Sequence, residues 1–240
     1  MPASEPGPGE ARGRIVFLNG TSSAGKSSIA RELVRLLDAP WFVLSADAFH
    51  AMRTAPAMGP DQLEGVLRRT WRGFHRAVAG MAAAGNDLVV DHVLSEPWRL
   101  RDCLDLFVPE DVVLVGVHCP LPELERRERL RGDRPAGLAA RQFSRVHAHG
   151  DYDVVVDSGD RSPQECAREI AAFLHRTSAG PTAFTRMRAA GTWGGGAVNP
   201  RFPSPHPTCR RARRARLRAR TVWGSSRSVP RSSAMRARRL

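Results

Sequence analysis

Ile15-Val16-Phe17-Leu18-Asn19-Gly20-Thr21-Ser22-Ser23-Ala24-Gly25-Lys26-Ser27-Ser28 decides the fold of this 240-residue chain. Its first four residues form a continuous apolar run, suited to a strand buried on both faces. Gly20 to Lys26 is small, polar and glycine-rich, and reads as a loop. Beyond it Ile29, Leu33, Leu36 and Leu37 recur at helical spacing until Pro40 closes the pattern. Strand, G-x-x-x-x-G-K-S loop and helix in that order describe a phosphate-binding loop. Glycine lets the backbone curl so that successive N–H groups face phosphate oxygens. The helix N-terminus adds a favourable field for an anion. Gly20, Thr21, Ser22, Ser23, Ala24, Gly25, Lys26, Ser27 and Ser28 are therefore expected to bind ATP. In such a loop the lysine bridges the β- and γ-phosphates and the Ser27 hydroxyl ligates Mg²⁺. Lys26 is the only lysine of the chain.

Outward from this loop the same alternation repeats. Trp41 to Leu44, Leu88 to Val90, Val112 to Val117 and Val154 to Val156 are four further apolar runs of strand length. Between them lie helical patterns: a long one carrying Leu63, Val66, Leu67, Trp71, Phe74, Val78 and Met81, one starting near Pro97, a charged one from Pro122 to Leu130, and one over 138–146. Ser162-Pro163-Gln164-Glu165 matches a capping box with proline at the first helical position, opening a last helix that carries Cys166, Ile170 and Phe173. Five strands interleaved with helices predict an α/β fold, a parallel sheet of the P-loop NTPase and kinase type covered on both faces.

After Ser178 this grammar stops. The expected organisation is a leader over 1–12, a small-molecule kinase domain over 13–178, and an arginine-rich, low-complexity, disordered tail over 179–240. The formal charge of +13 belongs to that tail, since residues 181–240 hold 15 arginines and neither Asp nor Glu. The first 180 residues hold 22 basic against 24 acidic side chains, so nucleic-acid binding is not inferred for the domain and is left open only for the tail. The tail's composition also matches GC-rich sequence read outside its selected frame. No apolar run approaches the roughly 20 residues of a membrane span. The amino-terminal residues lack the basic and apolar regions of a signal peptide. Cys103, Cys119, Cys166 and Cys209 show no metal-ligand spacing, which points to a reducing, cytoplasmic protein.

Two carboxylates fall at strand ends, where ligands bind in open α/β sheets. Asp91 closes Leu88-Val89-Val90 and fits an acid that helps hold Mg²⁺. Asp47 follows Leu44 and fits a general base for an attacking hydroxyl. Each also fits a helix N-cap, and sequence alone permits the two roles to be exchanged. Arg131 and Arg134, in a loop bounded by Pro135, are candidates for a lid placing cations over a transferred phosphoryl group, whereas Arg126 and Arg127 fit an exposed face paired with nearby glutamates. His92, His147 and His149 are expected to serve neither as metal ligands nor as acid–base groups.

These segments together resemble the chloramphenicol phosphotransferases. The resemblance runs over about residues 13–176 and rests on Phe17 to Ser28, Asp47, Val89-Val90-Asp91, Val115 to Cys119, Arg131-Gly132-Asp133-Arg134 with Ala136 to Gln142, and Val146-His147 before Tyr152 to Asp157. It implies a P-loop kinase fold and transfer of the ATP γ-phosphate to the primary hydroxyl of the antibiotic. It further implies Asp47 as the base and the segment of Arg131 and Arg134 as the lid. Two alternatives remain open at this level: a kinase for another metabolite, and a nucleotide-dependent nucleic-acid binder that uses the basic tail.

Overall fold

The computed structural model describes residues 12–54, 56–132, 137–176 and 180–191. The strands are β1 (Ile15–Asn19), β2 (Trp41–Ser45), β3 (Asp87–His92), β4 (Val112–His118) and β5 (Val154–Asp157). The helices are α1 (Lys26–Val34), α2 (Ala46–Ala51), α3 (Pro60–Ala83), α4 (Pro97–Leu106), α5 (Leu121–Arg131), α6 (Leu138–Val146), α7 (Pro163–His175) and α8 (Ala183–Ala189), with a 3₁₀ turn at Pro109–Asp111. All strand pairs are parallel and the order is β2-β3-β1-β4-β5, so the apolar run Ile15 to Leu18 lies at the centre of the sheet.

Successive side chains of a strand point to opposite faces, and the central strand feeds two cores accordingly. Ile15 and Phe17 join Phe74 and Val78 of α3, Leu100 and Leu104 of α4, and Leu88 and Val90 of β3. Val16 and Leu18 join Ile29 and Leu33 of α1, Leu124 of α5 and Ile170 of α7. The expected five-stranded parallel sheet with helices on both faces is therefore the observed architecture. The predicted capping box is also present: Ser162 Oγ accepts from Glu165 N, and Glu165 accepts from Ser162 N at 2.8 Å. Among the described residues no helix is long and apolar enough to cross a membrane.

Two helices depart from the expectation. Helix α2 was not anticipated, because six residues are too few to show a helical period. Helix α8 corrects the boundary drawn at Ser178, since Ala183, Phe184 and Met187 are buried in the β1/β3 core. Phe184 stacks on Phe107 with ring centroids 6.1 Å apart and an interplanar angle of 13°. Thr182 caps the helix, and Asp153 ties it to the sheet by accepting from Ala183 N at 2.7 Å while also accepting from Leu114 N of β4 at 2.8 Å. The leader up to residue 11, Arg134, Cys209 and the arginine run of 210–220 lie outside the described residues.

Helix α8 as part of the core gives a direct expectation. A chain ending at 191 keeps the urea midpoint of the full chain, whereas one ending at 176 unfolds at lower urea. Phe184→Ala costs about 3–5 kcal/mol in the same titration, the range for truncating a buried aromatic.

Candidate active site

The phosphate-binding loop leaves β1 and enters α1 through two left-handed residues, Ser23 (φ 66°) and Gly25 (φ 84°). Gly20 sits where a Cβ would lie 2.5 Å from the Val117 carbonyl oxygen, so only glycine lets the loop pass β4 this closely. Ser23 is buried and its Oγ has no hydrogen-bond partner among the described residues. Gln142 of α6 braces the loop by accepting from Ser22 N at 2.8 Å.

The register of β1 against β3 then brings two separate motifs together. Leu18 pairs with Asp91, so the start of α1 meets the end of β3. The Ser27 hydroxyl donates to Asp91 Oδ2 at 2.5 Å, and Lys26 Nζ lies 3.9 Å from Asp91 Oδ1 while donating to Thr21 O at 2.8 Å. Lys26 and Asp91 are each only 7% exposed. A hydroxyl and a carboxylate oxygen side by side are a hard donor set that fits Mg²⁺, which takes few protein oxygens and fills its shell with phosphate and water. Asp91 does not cap a helix, because the next helix, α4, begins at Pro97 with Glu96 as its N-cap.

Asp47 stands on the other side of this group, in the first turn of α2. Ser45 is the cap of that helix, accepting from Ala48 N at 3.5 Å, so Asp47 is not used as an N-cap. Its carboxylate is exposed and lines a cleft of about 800 Å³ together with Lys26, Ser27, Asp91 and Arg131. A second cavity of about 340 Å³ lies on the far side of the loop and shares Ser23, Gly25, Ser28 and Arg131 with the first. Arg127, Ser158, Arg161 and Pro163 complete it. Arg126 and Arg127 both pair with Glu123, at 2.6 and 2.7 Å, as expected for an exposed helix face, and Arg127 also donates to Ser158 O. Across the gap at 133–136, Glu128 accepts from Gly137 N and Ala139 N at 3.0 and 3.1 Å, anchoring the first turn of α6.

The comparisons with known proteins accord with this geometry. The family model of the chloramphenicol phosphotransferase-like proteins matches residues 13–175. The chain belongs to the chloramphenicol phosphotransferase-like family. Provisionally named O-phosphotransferases from two strains of Mycobacterium tuberculosis are 30% identical over 203 residues, covering 75% of this chain and 90% of theirs. The fold is shared with the APS kinase of Mycobacterium tuberculosis (22% identity, TM-score 0.53, 69% of this chain and 99% of that one). It is shared also with the shikimate kinase of Acinetobacter baumannii (14% identity, TM-score 0.54, 70% and 96%).

Several cleft residues carry no motif and were not anticipated. Arg99 and Glu96 come from the start of α4, Leu67 from α3, and Arg141 and Arg145 from α6; Trp71, whose stripe on α3 reads as core or pocket wall, lines the cleft beside them. His92 also lines the cleft, and its Nε2 lies 3.1 Å from Nε2 of buried His75, whose Nδ1 is 2.7 Å from Asp102. Among the described residues no group of three or more His, Cys, Asp or Glu side chains is placed to hold a metal ion. His147 and His149 instead belong to a polar cluster under the loop. Asn19 donates from Nδ2 to Tyr152 Oη at 2.8 Å and to Val146 O at 2.9 Å, its Oδ1 accepts from Leu94 N at 2.9 Å, and Tyr152 Oη pairs with His147 Nδ1 at 2.7 Å.

Burial, with His118 and His149 close by, pushes His147 down to about 4; burial also lowers His118 and His149. The unfolded chain protonates its histidines near 6.5 and so binds more protons than the folded one below that pH. Stability therefore falls as pH drops from about 6.5 towards 4, and is flat above about 7.5. Urea midpoints at pH 7.5, 6 and 5 check this, and His147→Gln makes the decline shallower.

Proposed function

We propose that the chain transfers the γ-phosphate of ATP to a hydroxyl group of a small molecule, with Mg²⁺ as cofactor. The observation that carries this reading is the single cleft bordered by both the phosphate-binding loop and the exposed carboxylate of Asp47. In this reading the loop amides and Lys26 hold the donor phosphates at the α1 N-terminus. The cavity between Arg127 and Arg161 takes the nucleoside, because it opens on the β4/β5 side of the loop and shares only the loop and Arg131 with the cleft. The acceptor enters from the β2/β3 side, between α2, α3 and α4.

Ser27 and Asp91 would hold Mg²⁺. The ion, when bound, neutralises charge on the phosphate oxygens. The hydrogen bond between Ser27 and Asp91 supports giving Asp91 this duty and Asp47 the other. Asp47 accepts the proton of the acceptor hydroxyl as its oxygen attacks the γ-phosphorus, and the bond from that phosphorus to the β,γ-bridging oxygen breaks. Arg131 borders both cavities and so lies beside the phosphoryl group in transit, where a cation stabilises the developing charge. The expected contribution of Arg134 to a lid remains a proposal on sequence grounds. Chloramphenicol is the first acceptor to try, on the strength of family membership, and a cytoplasmic location follows from the use of ATP.

Incubation with γ-labelled ATP and a panel of hydroxylated acceptors tests the reading. Label transfer to at least one acceptor is expected, with Asp47→Asn lowering kcat by about 10²- to 10⁴-fold and leaving the KM for ATP within about twofold. Absence of both label transfer and acceptor-stimulated ADP release, with residual ATP hydrolysis unaffected by Asp47→Asn, would sink it.

A further inference from the structure

The acceptor side of the cleft holds a buried cation with no carboxylate in ion-pair contact among the described residues. Arg99 is 8% exposed and lines the cleft with Trp71, Glu96 and Arg145. One face of its guanidinium lies on the Trp71 ring, with Cζ 3.7 Å from the ring centroid. Nη1 donates to Val93 O at 2.9 Å, and Nε is buried without a hydrogen-bond partner. The Arg99 side chain has no other hydrogen bond and no ion pair among the described residues, and the backbone N–H donates to Glu96 O at 2.9 Å. Glu96, the nearest carboxylate by sequence, is bound by Arg145 Nη2 at 3.1 Å instead.

A buried charge persists in proteins when it is paired, and a buried donor when it is bonded. Among the described residues Arg99 has no carboxylate in ion-pair contact, and its Nε has no hydrogen-bond partner. Burial lowers it to about 10, with Glu96 offsetting part of that, so it remains a cation at neutral pH. The geometry of what is left is specific. With Nη1 committed to Val93, the unused donors are Nε and Nη2, the two that share one edge of the guanidinium. That edge matches the two oxygens of a carboxylate or another oxyanion. Trp71 fixes the plane of the fork, so little ordering remains to be done when an anion arrives.

We propose that the acceptor carries an oxyanion, and that Arg99, braced by Trp71 and Val93, is the specificity-determining residue that seats it in the cleft bordered by Asp47. This rests on the phosphotransferase reading above and narrows its acceptor to hydroxylated acids. A neutral alcohol such as chloramphenicol would leave the Nε and Nη2 edge unpaired. The nucleotide phosphates are a different source of the same chemistry. Arg99 comes from α4, after β3, and lines the same cleft as the loop, so the two sources are separated by filling the loop with a nucleotide before the anion is added.

The test separates binding from catalysis. The full chain is first saturated with Mg²⁺ and AMP-PNP, which fills the phosphate-binding loop, and is then titrated with sulfate, gluconate, glucose and chloramphenicol. Saturable binding of sulfate and gluconate is expected, stronger than that of glucose. Arg99→Gln weakens both anions at least tenfold and leaves AMP-PNP affinity within about twofold. Arg99→Lys keeps the charge without the fork, folds in the same space and loses about threefold. In turnover with acid acceptors Arg99→Gln raises the acceptor KM and leaves kcat nearly unchanged. The proposal is overturned if the nucleotide-filled protein binds neither anion saturably, if both variants bind them as the wild type does, or if Arg99→Gln weakens AMP-PNP instead. Anion binding that depends on Arg99 without any phosphoryl transfer would leave the oxyanion seat standing and overturn the phosphotransferase reading alone.

Discussion

Everything at the site depends on where β1 lies in the sheet. Because β1 is central, the loop that leaves it is flanked by β3 on one side and β4 on the other. Leu18 stands opposite Asp91 in one register and opposite Val115 in the other. The first pairing delivers a carboxylate to Ser27 and Lys26. The second presses Val117 against Gly20 so closely that no larger residue fits. A one-residue slip of β3 would turn Asp91 to the opposite face of the sheet, and the hydroxyl–carboxylate pair beside the loop would be lost. The apolar alternation of β1 into two separate cores opposes such a slip, since it would expose Leu88 and Val90 to the wrong layer.

The same centrality divides the ligand space. Elements that follow β2 and β3 build the wall carrying Asp47, Trp71 and Arg99. Elements that follow β4 and β5 build the cavity of Arg127, Ser158 and Arg161. The loop residues Ser23, Gly25 and Ser28, with Arg131, are what the two cavities share. Polar packing below the loop keeps this arrangement in place. Asn19 ties the end of β1 to Tyr152, Val146 and Leu94 at once, and Gln142 reaches up to Ser22. Such buried networks are rigid when every member is bonded, and they explain why a histidine-rich stretch near 147–149 has a packing duty.

Legibility in the sequence followed the reach of the interactions involved. The loop and its strand are where the pattern put them, while the helix α1 ends at Val34, short of Leu36 and Leu37, which the helical spacing includes. The strand-end carboxylates were visible because parallel strands present their C-terminal ends to ligands. Helix α2 was invisible, having less than two turns, and α8 was hidden because Phe184 and Met187 give only one i, i+3 pair after a stretch of Ser, Gly and Pro. Arg99 and Arg145, which meet Trp71 in the cleft, were unreadable for a different reason. Their meaning comes from being brought together by α3, α4 and α6, and nothing in the local spacing of any one of them marks it from the other arginines.

That last point bears on how charge should be read in this chain. Its +13 comes from the tail, and several arginines of the described residues are paired where they stand. Arg12 pairs with Asp111, Arg35 with Glu32, Arg126 and Arg127 with Glu123, Arg145 with Glu96, and Arg186 with Asp151. Exposed pairs of this kind contribute little to stability, but they remove the local field that would attract an anion. Burial reverses the weighting, because a cation out of water needs a partner that the solvent no longer supplies. Among the described residues the buried cations are Lys26 and Arg99. Lys26 has Asp91 within 3.9 Å, in a loop built for phosphate. Arg99 has an aromatic ring, one carbonyl and an unused edge, and that local imbalance says more about a ligand than the net charge of the whole chain.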